Sequence, residues 1–101
     1  MKLIVAMGIE EDTQLLRLIF QEHDVLIYSE APVEGFRPRA KQTDPANWFA
    51  SNSEGVFSRV VFAFVEDQIA AKLIEAVRER NTRDHLRNPL HAFQLKVEDH
   101  S

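Results

Sequence analysis

The chain predicts an α+β fold of the ferredoxin-like type: βαββαβ, one four-stranded antiparallel sheet with two helices on one face. Two observations carry this expectation. An apolar run, a cluster of acids and a stripe of apolar residues at helical spacing follow one another twice, and a further strand-type run closes each half. Two β-α-β units with right-handed crossovers produce that arrangement. A third observation concerns function rather than fold. The stretch from Gly35 to Gly55, GFRPRAKQTDPANWFASNSEG, has no sustained apolar period and is punctuated by Pro38 and Pro45. Loops of roughly 20 residues are uncommon in compact domains unless they are functional or disordered.

The first strand is expected at Lys2–Met7, where Leu3-Ile4-Val5-Ala6-Met7 is continuously apolar, as in a central strand buried on both faces, and Gly8 is expected to break it. Glu10-Glu11-Asp12 place acids where a helix start favours them. Asp12 is the expected N-cap, Leu15, Leu16, Ile19 and Phe20 form one apolar face, and the helix should end near His23-Asp24. The second strand is expected at Val25–Val33, with Pro32 at its end or on an edge. The third, Val56–Val65, is the strongest strand signal in the chain.

A second helix should start at Glu66-Asp67, with Asp67 as N-cap and Ile69, Ala70, Leu73, Ile74 and Val77 as its buried stripe. Arg78 and Arg80 are placed in its last turn, with Asn81 as the stop. The segment up to Asn88 is polar and basic, and Pro89 closes it. The last strand is expected at His91–Val97. One helix layer can cover only one sheet face, and Val5, Val61 and Phe93 suit either. Homo-oligomerisation through the bare face is the expected remedy.

With 101 residues the chain suffices for one domain, residues 1–101, and one core. Hydrophobic residues make up 45% and charged residues 28%, the balance of a globular protein. A formal net charge of −4 argues against a general nucleic-acid binder. The absence of cysteine excludes disulfides, thiolate metal sites and cysteine nucleophiles. The short apolar start is too brief for a signal peptide, and no run approaches a membrane span, so a cytoplasmic location is expected.

Trp48-Phe49, the bulkiest adjacent pair, is expected to contact a partner protein, since aromatic anchors dominate interfaces. The four histidines His23, His85, His91 and His100 lack paired ligand spacing; His85 and His91 are the weak metal candidates and solvated side chains the better expectation. No nucleophile elbow, P-loop or dinucleotide fingerprint is present, and helix starts explain Glu10-Glu11-Asp12 and Glu66-Asp67, so an enzyme is not expected.

Several short strings, in order and at matching spacing, resemble the PII signalling proteins, the nitrogen-regulatory family. MKLIVA is similar to the family's start, and Val33-Glu34-Gly35-Phe36 resembles the Val-Lys-Gly-Phe segment that opens its long signalling loop, the T-loop. Glu66-Asp67-Gln68-Ile69 with Leu73-Ile74-Glu75-Ala76-Val77 resembles its second helix. The resemblance implies a homotrimer that binds a small effector, an adenine nucleotide among the candidates, in clefts between subunits. It implies a ligand-facing loop base at Gly35, Phe36 and Arg37; Arg83 and Arg87, which stand where the family has its Gly-rich segment, are candidate guanidinium donors to a phosphate or carboxylate, a basic helix exit being the better expectation. The bland alternative for Gly35 is a glycine needed for its backbone angle. It also implies a transporter or enzyme partner reached through residues 35–55.

The departures are definite. The only tyrosine, Tyr28, precedes the loop, so the family's tyrosine modification has no target there. Thr82–Pro89 contains no glycine where the family has a Gly-rich phosphate-holding segment, and the family's basic C-terminal segment has no counterpart. The expectation is therefore a divergent, PII-like member. The alternatives are a metal-tolerance module resembling CutA, an ACT-type or other ferredoxin-like ligand-binding module, and a small enzyme like muconolactone isomerases.

Overall fold

The computed structural model describes residues 1–35 and 56–101. Its elements are β1 (Lys2–Ile9), a 3-10 turn (Glu10–Asp12), α1 (Thr13–Glu22), β2 (Ser29–Gly35), β3 (Val56–Val65), α2 (Asp67–Asp84) and β4 (His91–Lys96). The sheet order is β2-β3-β1-β4 with every neighbouring pair antiparallel, the ferredoxin-like topology.

Period-two alternation decides what each strand buries. Ile4 and Ala6 of β1 and Val61, Ala63 and Val65 of β3 form the core with Leu16, Ile19 and Phe20 of α1 and Ala70, Leu73 and Val77 of α2. Both helices therefore lie on that side. The opposite register positions, Leu3, Val5, Met7, Val60, Phe62, Phe64, Phe93 and Leu95, line a face that no helix among the described residues covers. Of the residues expected to suit either face, Val61 turns inward and Val5 and Phe93 turn to the open side. The expectation that β1 is buried on both faces is thus corrected for the single chain: only its even-numbered residues are buried.

Gly8 does not break β1. It pairs with Arg59, and a Cβ there would stand 2.7 Å from the Leu90 side chain, itself 2% exposed. The glycine admits Leu90 to the core. Asp12 occupies the N-cap of α1 but makes no side-chain cap bond; instead the Thr13 hydroxyl donates to the Glu10 carbonyl at 2.9 Å. The helix stops where expected, with Asp24 in a left-handed conformation (φ 63°) that Asp tolerates.

Other boundaries also differ from expectation: β2 runs on to Gly35 rather than ending at Val33, β4 ends at Lys96, and three further differences have a physical cause. Val25–Tyr28 is not part of β2, because the Val25 amide donates to the Phe20 carbonyl and its side chain enters the core. The helix exit claims this segment before a strand can. As a result β2 pairs with β3 only from Phe62 onward, and among the described residues Ala63–Val65 of β3 have no strand on that side. Leu26 and Ile27 are left exposed. The N-cap of α2 is Glu66, and Asp67 is its first residue, its carboxylate 3.0 Å from the α-amino group of Met1. The helix also runs past Asn81 to Asp84, so Arg83 rather than Arg78 or Arg80 stands in its last turn.

Candidate functional site

The strand registers set Gly35 opposite Val56, Ile9 opposite Ser58, and Met7 opposite His91. The end of β2, the start of β3 and the start of β4 therefore share one end of the sheet. Gly35 and the segment preceding β4 stand on opposite edges of it. Three strand spacings separate those edges, roughly 14 Å. The folded chain does not by itself bring Gly35 together with Arg83 and Arg87.

Gly35 is the last residue of β2 and carries no positive φ, so a special backbone angle does not explain it. Phe36, Arg37, Trp48 and Phe49 lie outside the described residues. Arg83 is exposed and donates from Nε to Asp84 at 3.3 Å, while Arg80 reaches the other oxygen of the same carboxylate at 3.5 Å. Arg87 is exposed, on the turn between α2 and β4. Two cations thus share one acid.

Asn81 organises this turn in place of a glycine-rich loop. Its side-chain oxygen accepts the Leu90 amide at 2.8 Å, and its Nδ2 donates to the Leu90 carbonyl at 2.9 Å. One amide side chain thereby fixes the exit of the turn and seats Leu90 beside Gly8. Leaving both Leu90 backbone groups without partners costs about 2 kcal/mol. Asn81→Ala should lower unfolding free energy by that amount in urea denaturation; a loss below about 0.5 kcal/mol would contradict the clamp.

His85 closes α2 in a left-handed conformation (φ 48°, ψ 49°), and His91 opens β4; both are exposed. Among the described residues no group of three or more His, Cys, Asp or Glu side chains is placed to hold a metal. No helix among them is long and apolar enough to cross a membrane.

Sequence reasoning missed a charged cluster beside β2. Glu30 accepts both Nε (2.9 Å) and Nη2 of Arg17, and Arg59 Nη1 lies 3.6 Å away. Arg59 Nε also reaches Glu10 at 3.2 Å. The hydrogen bonds from Arg17, followed by its charge and that of Arg59, hold the Glu30 carboxyl below its ordinary range, and the same bond raises Arg17. The sequence signal was two charged residues at strand positions whose parity faces the helices. A separate groove of about 460 Å³ lies between α1 and α2, floored by Ile19 and Ala76 and rimmed by carboxylates and permanent cations in equal number. That balance selects neither an anion nor a cation.

No family model matches the chain, and no curated protein matches it in sequence. Solved structures do match. A protein from Thermus thermophilus described as PII-like and signalling aligns at TM-score 0.59 and 15% identity, covering 95% of this chain and 85% of that one. CPII from Thiomonas intermedia, solved bound to ADP and bicarbonate, aligns at TM-score 0.59 and 10% identity, covering 97% and 88%. The chain has the fold of these proteins.

Proposed function

We propose that this chain is a divergent PII-like signalling protein, acting as a cytoplasmic homotrimer that binds a small anionic effector between subunits. The observation that carries the reading is the division of the candidate residues. Gly35 and the Arg83–Arg87 segment share one end of the sheet but occupy opposite edges, so a complete site needs the β2 edge of one copy beside the β4 edge of the next. The uncovered apolar face supports the same assembly, because copies that pack these faces inward around an axis bring such edges into proximity. The likeness to CPII, solved with ADP and bicarbonate, supports an anion as the effector class.

In this reading Gly35, Phe36 and Arg37 form one wall of the cleft. Arg83 and Arg87 supply guanidinium donors to a phosphate or carboxylate in place of glycine-loop amides. Residues 35–55 contact a partner, a transporter or an enzyme, through Trp48 and Phe49. Effector binding biases which conformation that segment offers.

Calorimetric titration tests this with ATP, ADP, cyclic nucleotides and bicarbonate in turn. At least one should bind, and Arg87→Ala should weaken it about tenfold, the worth of one charge-assisted hydrogen bond. A folded trimer that gives no heat with any of them would remove the effector reading. The metal-tolerance alternative is favoured by no observation on the described residues.

A further inference from the structure

β2 is the strand least attached to the helices: β4 is also an edge strand without a buried residue, but it packs against α2, whereas β2 has no comparable contact with a helix. None of its seven residues is buried, Val33 is 38% exposed, and Pro32 has no amide to donate. Among the described residues it is an edge strand with a single neighbour, β3. Apolar packing, which seats β1 and β3 against the helices, contributes little to holding it.

A side-chain tether does the holding on the helix side. Among the described residues, Glu30 is the one member of β2 whose side chain bonds to a helix. It takes the fork of Arg17 from α1, and Arg59 of β3 closes on the same carboxylate oxygen from the other side. Arg59 is in turn tied to Glu10 of the 3-10 turn, and Gln14 accepts from Arg17 at 3.4 Å. Three elements meet at this carboxylate, and Arg59 links it to the 3-10 turn. Bidentate arginine–carboxylate pairs fix geometry as well as contributing energy, and here the pair is half-shielded from solvent.

We propose that Glu30, gripped by Arg17 and Arg59, is a latch that fixes β2 to the body, and that losing it releases β2 while the rest stays folded. β2 leads directly into residue 36, so the latch decides whether that segment is fed from a fixed or a released strand. The latch lies on the helix face, opposite the face proposed to be covered by other copies, and it does not depend on the effector reading.

Amide hydrogen exchange on the full chain tests it, comparing wild type with Glu30→Gln, Arg17→Met and the double variant. Each single variant should accelerate exchange in residues 29–35 about tenfold, the worth of a charge-assisted bond. Exchange in β1 and α2 should stay within about twofold of wild type, and the double variant should be no faster than Glu30→Gln, because the two residues form one unit. Unchanged exchange in β2, or equal acceleration in β1 and α2, would overturn the proposal. Arg17 sits on the flank of α1 with its side chain 36% exposed, so Arg17→Met decides the matter even if Glu30→Gln fails to fold.

Discussion

Phe64→Glu combined with Phe93→Glu should yield a folded monomer in place of an oligomer. The two rings are 60% and 54% exposed in the single chain and stand on the uncovered sheet face with Leu95 and Leu3 beside them. Burying the open half of each ring against another copy is worth roughly 1 kcal/mol per copy, and an unpaired carboxylate in the same place adds a larger penalty. In the proposed trimer every copy carries both changes, so the penalties add around the ring. Sedimentation velocity should show dissociation at micromolar concentration, with circular dichroism matching the wild type, since neither residue belongs to the core under the helices. An assembly of unchanged size would place the interface elsewhere. A wild type that is already monomeric would remove the trimer.

The second large effect belongs to the core. Phe20 is fully buried, the largest such side chain among the described residues, and its ring meets Tyr28 edge-on at 5.7 Å. Phe20→Ala should cost about 3–5 kcal/mol, the range for truncating a buried phenylalanine. That is a large part of the roughly 5–15 kcal/mol typical of a single domain. Thermal midpoints should fall by roughly 15–25 °C. Phe20→Leu, which keeps most of the volume, should cost under about 1.5 kcal/mol. Denaturation at one fixed protein concentration checks both, because association alters apparent stability by mass action. A loss below about 1.5 kcal/mol for the alanine variant would mean that the cavity collapses and that α1 is packed less tightly than its burial implies.

The fold was readable because its main signals are local. The β3 run is bounded by Gly55 and Glu66, and its predicted limits coincide with the strand. Acids mark both helix starts, although neither Asp12 nor Asp67 caps through its side chain. The errors arise where a distant or competing partner intervenes. Val25–Tyr28 has strand propensity, yet the hydrogen bond from Val25 to Phe20 and the burial of Val25 override it. Asn81 reads as a helix stop, but its side chain is committed to Leu90, nine residues on, and the helix continues. The parity of Glu30 and Arg59 is a sequence signal for the ion cluster, but not for its pairing, because its members are far apart in sequence, with Arg59 and Glu10 separated by 49 positions. The candidate ligand residues could be named from the resemblance. Their placement on two opposite edges required the sheet order.

The short reach of β2 leaves β3 with three residues, Ala63–Val65, unpaired on one flank among the described residues, beside the exposed Leu26, Ile27 and Phe64. A bare strand edge bordered by oily side chains is a template on which another chain can add. Under the proposed assembly, each newly made copy faces a race between association and open-ended sheet growth. Soluble yield should thus depend on how well this corner is shielded, and a solubilising lysine in place of Leu26 or Ile27 should raise it.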